Sequence, residues 1–417
     1  MTKLLNLCII IRIINGIIPK RRTIMPNFEY LVGYLRMTFE AYGPKLSKPV
    51  GYLLAVIVAI LLEKTKAHLS EIADGLPGEA STAGKRQRVR RFLSNKKLSP
   101  ELFINVLLVL LKPLILSLPV IVLSMDRTSW VKRKKVVNIL LVGIVFKGRT
   151  IPLNWLVLDR KGNTSTQQWK QLLKPVLEAL SKLPWLRFVP IKVVADREFA
   201  SPKLGGWLKK NFGVSYCLRL KRSEYVLLPG RRLIRLGQLV SSVKKGDYLF
   251  LKDVIVTKQS TFSTNVLISW GLDYDEAIII MADSYSPEEI VEDYADRFCI
   301  EPMFRDHKSN AFDIEGTRVT DPKRIETLLI PIALAYALSV LEGNYQEEAG
   351  LAPKAPKGKP RLVSLFLSGL RTFKHRIHRW DISRFQLFIK EFFSRIFRMT
   401  SLYFSWLPPP VIKSVSY

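Results

Sequence analysis

The chain contains few cysteines and histidines for its length. Its 417 residues include three cysteines and four histidines. The cysteines, Cys8, Cys217 and Cys299, are scattered and odd in number. That pattern excludes a disulfide framework and a CxxC metal site, and it favours a reducing cytoplasm. The histidines have no zinc-ligand spacing, so structural zinc is excluded as well.

The chain also lacks a clear signal peptide or membrane span. Residues 1–24 contain a short apolar stretch, but Arg12 interrupts it and no small-residue cleavage site follows, so we interpret them as translated upstream sequence. The apolar run 103–124 is interrupted by Lys112 and Pro113. It favours a buried helix followed by a strand over a membrane span. We expect no membrane contact.

Acidic residues are outnumbered by basic ones. Lysine and arginine total 65 against 35 aspartates and glutamates, which gives a formal charge of +30. Such an excess predicts attraction to a polyanion and a salt-sensitive affinity. It fits a nucleic-acid-binding protein, while a ribosome-associated or a membrane-surface protein remains an alternative.

Two aspartates follow apolar runs that are typical of buried strands. Asp126 ends the run LPVIVLSMD and Asp196 ends the run FVPIKVVAD. A carboxylate at the carboxyl end of a buried strand lies at the rim of the sheet, where α/β proteins bind ligands. A single aspartate in this position is more often a turn residue or a helix N-cap.

A third acidic residue lies in a helical pattern with two cations. Tyr294, Arg297, Glu301 and Lys308 fall within roughly a 60° arc of one helix face. A solvated charged face is the commoner explanation for such a stripe, and Pro302 predicts a kink or a new helix start beside Glu301. With Asp126 and Asp196, however, Glu301 completes three carboxylates that suit Mg²⁺.

Three segments together resemble a known family. They are MDRTSW around Asp126, VVADREFAS around Asp196, and YADRFCIEPMFRDHKSNAFDIEGTR around Glu301. The chain resembles a bacterial insertion-sequence DDE transposase, of the branch named after insertion sequence four, which carries a Tyr-Arg-Glu-Lys signature. The resemblance is strongest between residues 118 and 330.

The resemblance implies a metal-dependent DNA transposase. Asp126, Asp196 and Glu301 would be catalytic and would hold two Mg²⁺ ions, with Mn²⁺ as a substitute. One ion would activate water and later a 3′-hydroxyl, while the other would stabilise the leaving 3′-oxygen. Tyr294 and the two cations of the signature would orient phosphates. The partners would be double-stranded DNA, as terminal inverted repeats and target, and a second copy of the chain in a homodimeric synaptic complex.

The expected fold is α/β, with a ribonuclease-H-like catalytic core. Three antiparallel strands, the second and third joined at Lys147-Gly148, precede a helix and a parallel strand. In that order the first and fourth strands are neighbours, so Asp126 and Asp196 would stand side by side. The family resemblance also implies a β-rich insertion before Glu301.

Composition and pattern divide the chain into six regions. They are 1–25, an upstream extension; 26–115, a helical DNA-binding domain; 116–221, the first part of the core; 222–275, the β-rich insertion; 276–345, the rest of the core; and 346–417, a basic C-terminal helical region.

The N-terminal region contains a predicted helix-turn-helix. The second helix would begin at Ser81 or Thr82 and display a basic face that binds terminal-repeat DNA; the residues of that face are Lys85, Arg86, Arg88, Arg90 and Arg91. A plain solvated face is the alternative. In the insertion, Trp270 is a candidate for stacking a flipped base, against the commoner role of a core tryptophan.

The sequence therefore predicts a transposase that cleaves transposon ends and transfers strands into a target by cut-and-paste, associated with the nucleoid in a bacterial cytoplasm. Two alternatives remain. One is a structure-specific nuclease that uses the same metal site. The other is a non-catalytic DNA-binding protein descended from a transposase, which the intact carboxylate triad disfavours.

Overall fold

The computed structural model describes residues 26–132, 135–159, 162–228, 232–257, 262–352 and 363–401. The predicted upstream extension lies outside these residues. So do residues 353–362 and 402–417 of the predicted C-terminal region.

The N-terminal part is helical, as predicted. Its helices are α1 (Pro26–Tyr42), α2 (Lys48–Lys64), α3 (Leu69–Asp74), α4 (Thr82–Leu93) and α5 (Ile104–Ile115). Helix α2 is buried without a break from Leu53 to Leu62, so it is a core helix. Helix α5 continues through Lys112 and Pro113 and is followed by a strand. The prediction of a buried helix and then a strand is confirmed. Lys112 is buried within this helix, and its ammonium lies 5.3 Å from the centre of the Trp185 ring.

Ten strands form one mixed sheet. In chain order they are β1 (Ile121–Lys132), β2 (Lys135–Phe146), β3 (Arg149–Leu158), β4 (Ile191–Ala195), β5 (Ser215–Arg219), β6 (Tyr225–Leu228), β7 (Arg232–Arg235), β8 (Tyr248–Val256), β9 (Ser263–Ser269) and β10 (Ile278–Ala282). Their order across the sheet is β3-β2-β1-β4-β5-β10-β9-β8-β6-β7. Strands β1, β2 and β3 are antiparallel, and β4 runs parallel to β1 and β5. The first and fourth strands are therefore neighbours, as predicted.

The turn between β2 and β3 has the predicted position. Lys147 and Gly148 have φ angles of 44° and 81°. Positive φ at both central residues is the geometry of a two-residue hairpin whose twist matches the flanking strands. This hairpin brings β3 back along β2 and forms the outer edge of the sheet.

The strands of the predicted insertion extend the main sheet. Strand β9 pairs with β10, and β8 and β6 continue the pairing outward. A short helix, α8 (Leu236–Val240), follows β7. The region is rich in β-structure, as predicted. Because β10 also pairs with β5, hydrogen bonds connect these strands directly to the sheet that carries Asp126.

Helices cover the sheet and connect its parts. They are α6 (Thr166–Ser181), α7 (Pro202–Phe212), α9 (Pro287–Ala295), α10 (Ile300–Arg305), α11 (Pro322–Glu348), α12 (Leu365–Arg379) and α13 (Ile382–Ser401). Among the described residues one helix, α11, has the length and apolar composition to cross a membrane. However, 94% of its most apolar window is buried in the protein, so α11 serves as a core helix here.

Candidate active site

Asp126 and Asp196 lie beside each other where the pairing of β1 with β4 ends. The last parallel pair of β1 and β4 is Met125 with Ala195, and each aspartate follows directly. Asp196 comes after the end of β4, as predicted. The prediction that a strand ends at Asp126 is wrong. Strand β1 continues to Lys132, because β2 pairs with it over its whole outer half.

The segment that carries Glu301 is helical but changes type several times. Helix α9 is followed by a 3₁₀ turn (Asp296–Cys299), by α10, and by a π-helical turn (Asp306–Asn310). The four signature residues therefore do not share one continuous helix face, whereas the predicted new helix start beside Glu301 is confirmed, because α10 begins at Ile300. Glu301 and Pro302 lie in the first turn of α10, where a proline costs no internal hydrogen bond.

Arg297 joins the three carboxylates. Its Nη2 lies 3.4 Å from Asp126 Oδ2 and 3.5 Å from Asp196 Oδ2, and its Nη1 lies 2.6 Å from Glu301 Oε1. Its main-chain carbonyl accepts a hydrogen bond from Ser124 Oγ at 3.3 Å, which attaches the 3₁₀ turn to β1. The Arg297 side chain is only 10% exposed. Three carboxylates from three segments thus converge on one cation.

Tyr294 and Arg219 contact the same centre from the side of Asp196. The Tyr294 hydroxyl donates to Asp196 Oδ1 at 3.2 Å, and burial, followed by the Asp196 charge, raises the pKa of that phenol. Arg219 Nη1 lies 3.5 Å from Asp196 Oδ1, and its Nη2 donates to Glu276 at 2.7 Å. Asp196 therefore has three donors around it when Arg297 is included.

Asp126 has an unusual protonation equilibrium. Burial raises its pKa to about 6, and the Asp196 and Glu301 carboxylates act in the same direction. A hydrogen bond from Arg127 N to Asp126 Oδ1, at 2.7 Å, and the Arg297 guanidinium lower the pKa, but burial is the larger effect. Perturbed carboxylates of this kind are concentrated at functional sites.

Lys308 lies farther along the same segment. Its ammonium donates to the carbonyl of Ser129 at 3.4 Å, is 3.1 Å from Glu315, and lies 5.6 Å from the centre of the Trp130 ring. These contacts hold Lys308 against the outer half of β1, and its side chain is 24% exposed. None of these contacts is with Asp126, Asp196 or Glu301, so Lys308 lies farther along β1 than the three carboxylates.

The donor chemistry of the site suits a hard divalent ion, because carboxylate oxygens are the ligands that Mg²⁺ prefers. In the structure, however, these carboxylates contact an arginine. Within the described part of the chain, no group of three or more His, Cys, Asp or Glu side chains is placed to hold a metal ion. The positive charge shared by Asp126, Asp196 and Glu301 comes from Arg297.

A basic cavity opens beside Asp196. Its volume is about 320 Å³, and it lies between the core strands β5 and β10 and the added strand β7. Five cations and one acid are among its lining residues: Arg197, Arg219, Lys221, Arg222, Arg235 and Glu276. The excess of positive charge suits a phosphate group.

Helix α4 carries the predicted basic face. Ser81 caps it by accepting a hydrogen bond from Gly84 N at 3.2 Å, and Val89 and Phe92 are buried under it. Four of the five predicted cations are exposed and Lys85 is half-buried; the exposed ones are Arg86, Arg88, Arg90 and Arg91. Arg324 of α11 donates to Ser94 at 2.9 Å, so the end of α4 is attached to the core.

Trp270 lies in a different environment from the carboxylates. It follows β9, its indole nitrogen donates to Tyr274 O at 3.0 Å, and its main chain bonds to Gly246 and Asp247. The ring is partly buried and packs against the main hydrophobic core. These contacts give the indole a structural role in the turns around it.

The geometry of the site is that of an acidic centre at the carboxyl end of β4, and the sequence comparison adds the family. A family model described as "Transposase DDE domain" matches residues 121–338, just over half of the chain. The chain belongs to this family. The matched range contains Asp126, Asp196 and Glu301, whereas α4 lies before it. No curated protein matches the chain.

Sequence reasoning missed three charged residues of this transposase domain. Arg219 contacts Asp196, and Arg127 and Glu198 form an ion pair close to both aspartates. A usable signal was present for two of them, because Arg127 directly follows Asp126 and Glu198 lies two positions after Asp196. Arg219 ends a strand, and nothing in its local sequence indicates its contact.

Proposed function

We propose that this protein is a DNA transposase that cleaves transposon ends and joins them to target DNA with the help of divalent metal ions. The observation that carries the proposal is the convergence of Asp126, Asp196 and Glu301 on one cation where β4 ends beside β1, in a chain of the transposase DDE family. We assign the core to the ribonuclease-H-like fold and the chain to the branch with the Tyr-Arg-Glu-Lys signature. The strand order β3-β2-β1-β4-β5 supports the first assignment.

The three carboxylates would hold two Mg²⁺ ions. When bound, such ions supply an activated nucleophile and stabilise the leaving oxygen of an in-line displacement. The same carboxylate oxygens cannot bind Arg297 and an ion at full strength at once, so Arg297 would compete with the metal. A guanidinium released from the carboxylates suits a phosphate oxygen of the DNA, because it forms bidentate, charge-assisted hydrogen bonds.

Three basic features supply DNA contacts in this proposal. The exposed arginines of α4 would bind terminal-repeat DNA. Lys308, on the outer half of β1, and the cavity beside Asp196 would grip phosphates on either side of the cleaved bond. The net charge of +30 fits a protein that must bind both transposon and target duplexes. Two copies of the chain would hold the two ends in one complex.

The test is a strand-transfer assay with the full chain. A labelled duplex carrying the end sequence that flanks the reading frame is incubated with a supercoiled plasmid and Mg²⁺, and products are resolved under denaturing conditions. We expect both cleaved ends and ends joined to plasmid. Cleavage without joining would indicate the structure-specific nuclease. Binding without either product would indicate the non-catalytic DNA-binding protein, and both results would overturn the proposal.

A further inference from the structure

Arg127 and Glu198 form an ion pair between the segments that carry the two aspartates. Arg127 Nε lies 3.0 and 2.8 Å from the two carboxylate oxygens of Glu198. Arg127 directly follows Asp126 in β1, and Glu198 lies two positions after Asp196 in a 3₁₀ turn (Arg197–Phe199). The ion pair therefore connects two segments whose backbones separate after the last β1–β4 pair.

The Glu198 carboxylate is held from a second side. Its Oε1 accepts hydrogen bonds from Thr164 N at 3.0 Å and Thr164 Oγ1 at 2.9 Å. Thr164 in turn accepts a hydrogen bond from the buried Trp169 indole at 2.6 Å. The next residue, Ser165, begins α6 with a capping box. Glu198 is thus fixed to α6, and its side chain is 16% exposed.

The contact reaches the catalytic carboxylates through short paths. Arg127 N donates to Asp126 Oδ1, so a displacement of Arg127 also displaces the carboxylate. On the other side, Phe199 N donates to Asp196 O at 2.9 Å, so the turn that carries Glu198 closes on Asp196. Each residue of the ion pair is thus connected to its neighbouring aspartate by one or two residues of backbone and by a hydrogen bond. The distance between Arg127 and Glu198 therefore constrains the separation of Asp126 and Asp196.

We propose that Arg127 and Glu198 are positioning residues that set the spacing of Asp126 and Asp196 for metal binding. The inference rests on the proposed function, since the spacing matters only if the aspartates share metal ions. Residues that orient metal ligands typically contribute about ten- to a hundredfold to metal affinity or activity. A purely structural ion pair would instead affect stability and leave the metal dependence unchanged.

The test uses Glu198→Gln, Arg127→Gln and the double variant of the full chain. Glu198→Gln keeps the size and shape of the side chain and removes its charge, whereas Arg127→Gln removes the charge and shortens the side chain. Glu347→Gln serves as the matched control, because Glu347 also pairs with a cation, Lys147 at 2.8 Å, on a different part of the protein. For each variant we measure the end-cleavage rate over a range of Mg²⁺ concentrations and DNA affinity in chelated buffer. The rise in melting temperature on adding Mg²⁺ gives a readout independent of activity.

Each single variant is expected to cleave about ten- to a hundredfold more slowly than the wild type at limiting Mg²⁺. Each also requires more Mg²⁺ and shows a smaller Mg²⁺-induced rise in melting temperature, while DNA affinity is unchanged. The double variant is expected to match the single ones, because both remove the same ion pair. The control behaves like the wild type.

The experiment distinguishes a failure of the proposed function from a failure of the positioning role. If the wild type does not cleave while it binds DNA, the proposed function fails. If the wild type cleaves, and the single variants keep its Mg²⁺ dependence and its Mg²⁺-induced stabilisation, the positioning role is overturned. The same conclusion follows if the effects of the two single variants multiply in the double variant.

Discussion

At the scale of a single residue, Asp126 shows how the burial of a carboxylate opposes folding stability. Its side chain, in the interior strand β1, is 16% exposed, and its pKa is raised to about 6 from 3.8. The ionised form therefore costs folding free energy even though Arg297 lies beside it. A site that must present an ionised carboxylate at neutral pH therefore lowers the folding stability of the protein at that pH.

We predict that Asp126→Asn makes the metal-free protein more stable at neutral pH. In the folded wild type the proton is retained up to about pH 6, while the unfolded chain loses it near 3.8. The contribution of Asp126 to the free energy of unfolding is thus favourable at low pH. About 3 kcal/mol of that stability is lost as the pH rises through this window. Thermal unfolding of both proteins in chelator, near pH 5 and near pH 8, should show an advantage of the variant that is larger at the higher pH. An equal difference at both values would contradict the raised pKa.

Arg297 supports a second prediction. Replacing it with methionine keeps most of the side-chain volume but leaves the three carboxylates without their shared cation. We expect the metal-free protein to lose on the order of 3 kcal/mol of stability. Added Mg²⁺ should stabilise the variant more than the wild type, because the ion no longer competes with the guanidinium. Cleavage should fall, since the phosphate contact is lost.

Arg297→Lys is the control for this experiment. It keeps the positive charge, so its response to Mg²⁺ should lie between those of the wild type and Arg297→Met. If Arg297→Met unfolds like the wild type and gains no more from Mg²⁺, Arg297 does not hold the carboxylates together.

The sequence indicated the three carboxylates but not the contacts around them. Their residue types and order are local information, and they were enough to name Asp126, Asp196 and Glu301. The inward contact of Arg297 was not foreseen, because the direction of a side chain on a helix depends on which strands the helix packs against. Arg127 and Glu198 were missed for a different reason: their positions near the aspartates could be seen in the sequence, but their contact joins segments far apart in the chain.

At the scale of elements, the segment from α9 to the π-helical turn determines where each signature residue lies. The 3₁₀ turn brings Arg297 to the carboxylates, and the π-helical turn directs Lys308 to the outer half of β1. Such interruptions of an α-helix are frequent at functional sites. Hydrophobic periodicity predicted a helix here, but it could not predict the changes in helix type, which depend on packing against β1.

Helix α4 is the element for which a role in DNA recognition can be tested separately. We predict that Arg86→Ala with Arg90→Ala lowers the ratio of specific to random-sequence affinity by about tenfold or more, because contacts to base edges carry discrimination. Lys85→Ala should weaken binding to both sequences similarly. Fluorescence anisotropy of the full chain with terminal-repeat and scrambled duplexes, at two salt concentrations, measures the ratio and its salt dependence.

The matched comparison is Arg371→Ala with Lys374→Ala, two exposed cations of α12. These should reduce affinity for both duplexes without changing the ratio. If the α12 pair changes the ratio and the α4 pair does not, recognition of the transposon end belongs to the C-terminal helices.

At the scale of the whole molecule, one sheet connects the carboxylates to the strands that line the basic cavity. Strand β10 pairs with both β5 and β9, so the core and the added strands share hydrogen bonds. The sequence predicted a β-rich segment there. It did not predict where those strands lie in the sheet, because strand order depends on long-range pairing that a local pattern does not contain. The shared sheet places the cavity with its five cations next to Asp196.

The central claim is that Asp126, Asp196 and Glu301 act together as the metal-binding catalytic centre of a transposase. The most direct measurement compares Asp126→Asn, Asp196→Asn and Glu301→Gln with the wild type in end cleavage with Mg²⁺ and in DNA binding by gel shift. Asp283→Asn is the control, since Asp283 also follows a strand of the sheet but contacts Lys209 and Tyr216 instead. We predict that each of the three variants binds DNA and does not cleave it, whereas the control cleaves. Cleavage at the wild-type rate by any one of the three would contradict the claim.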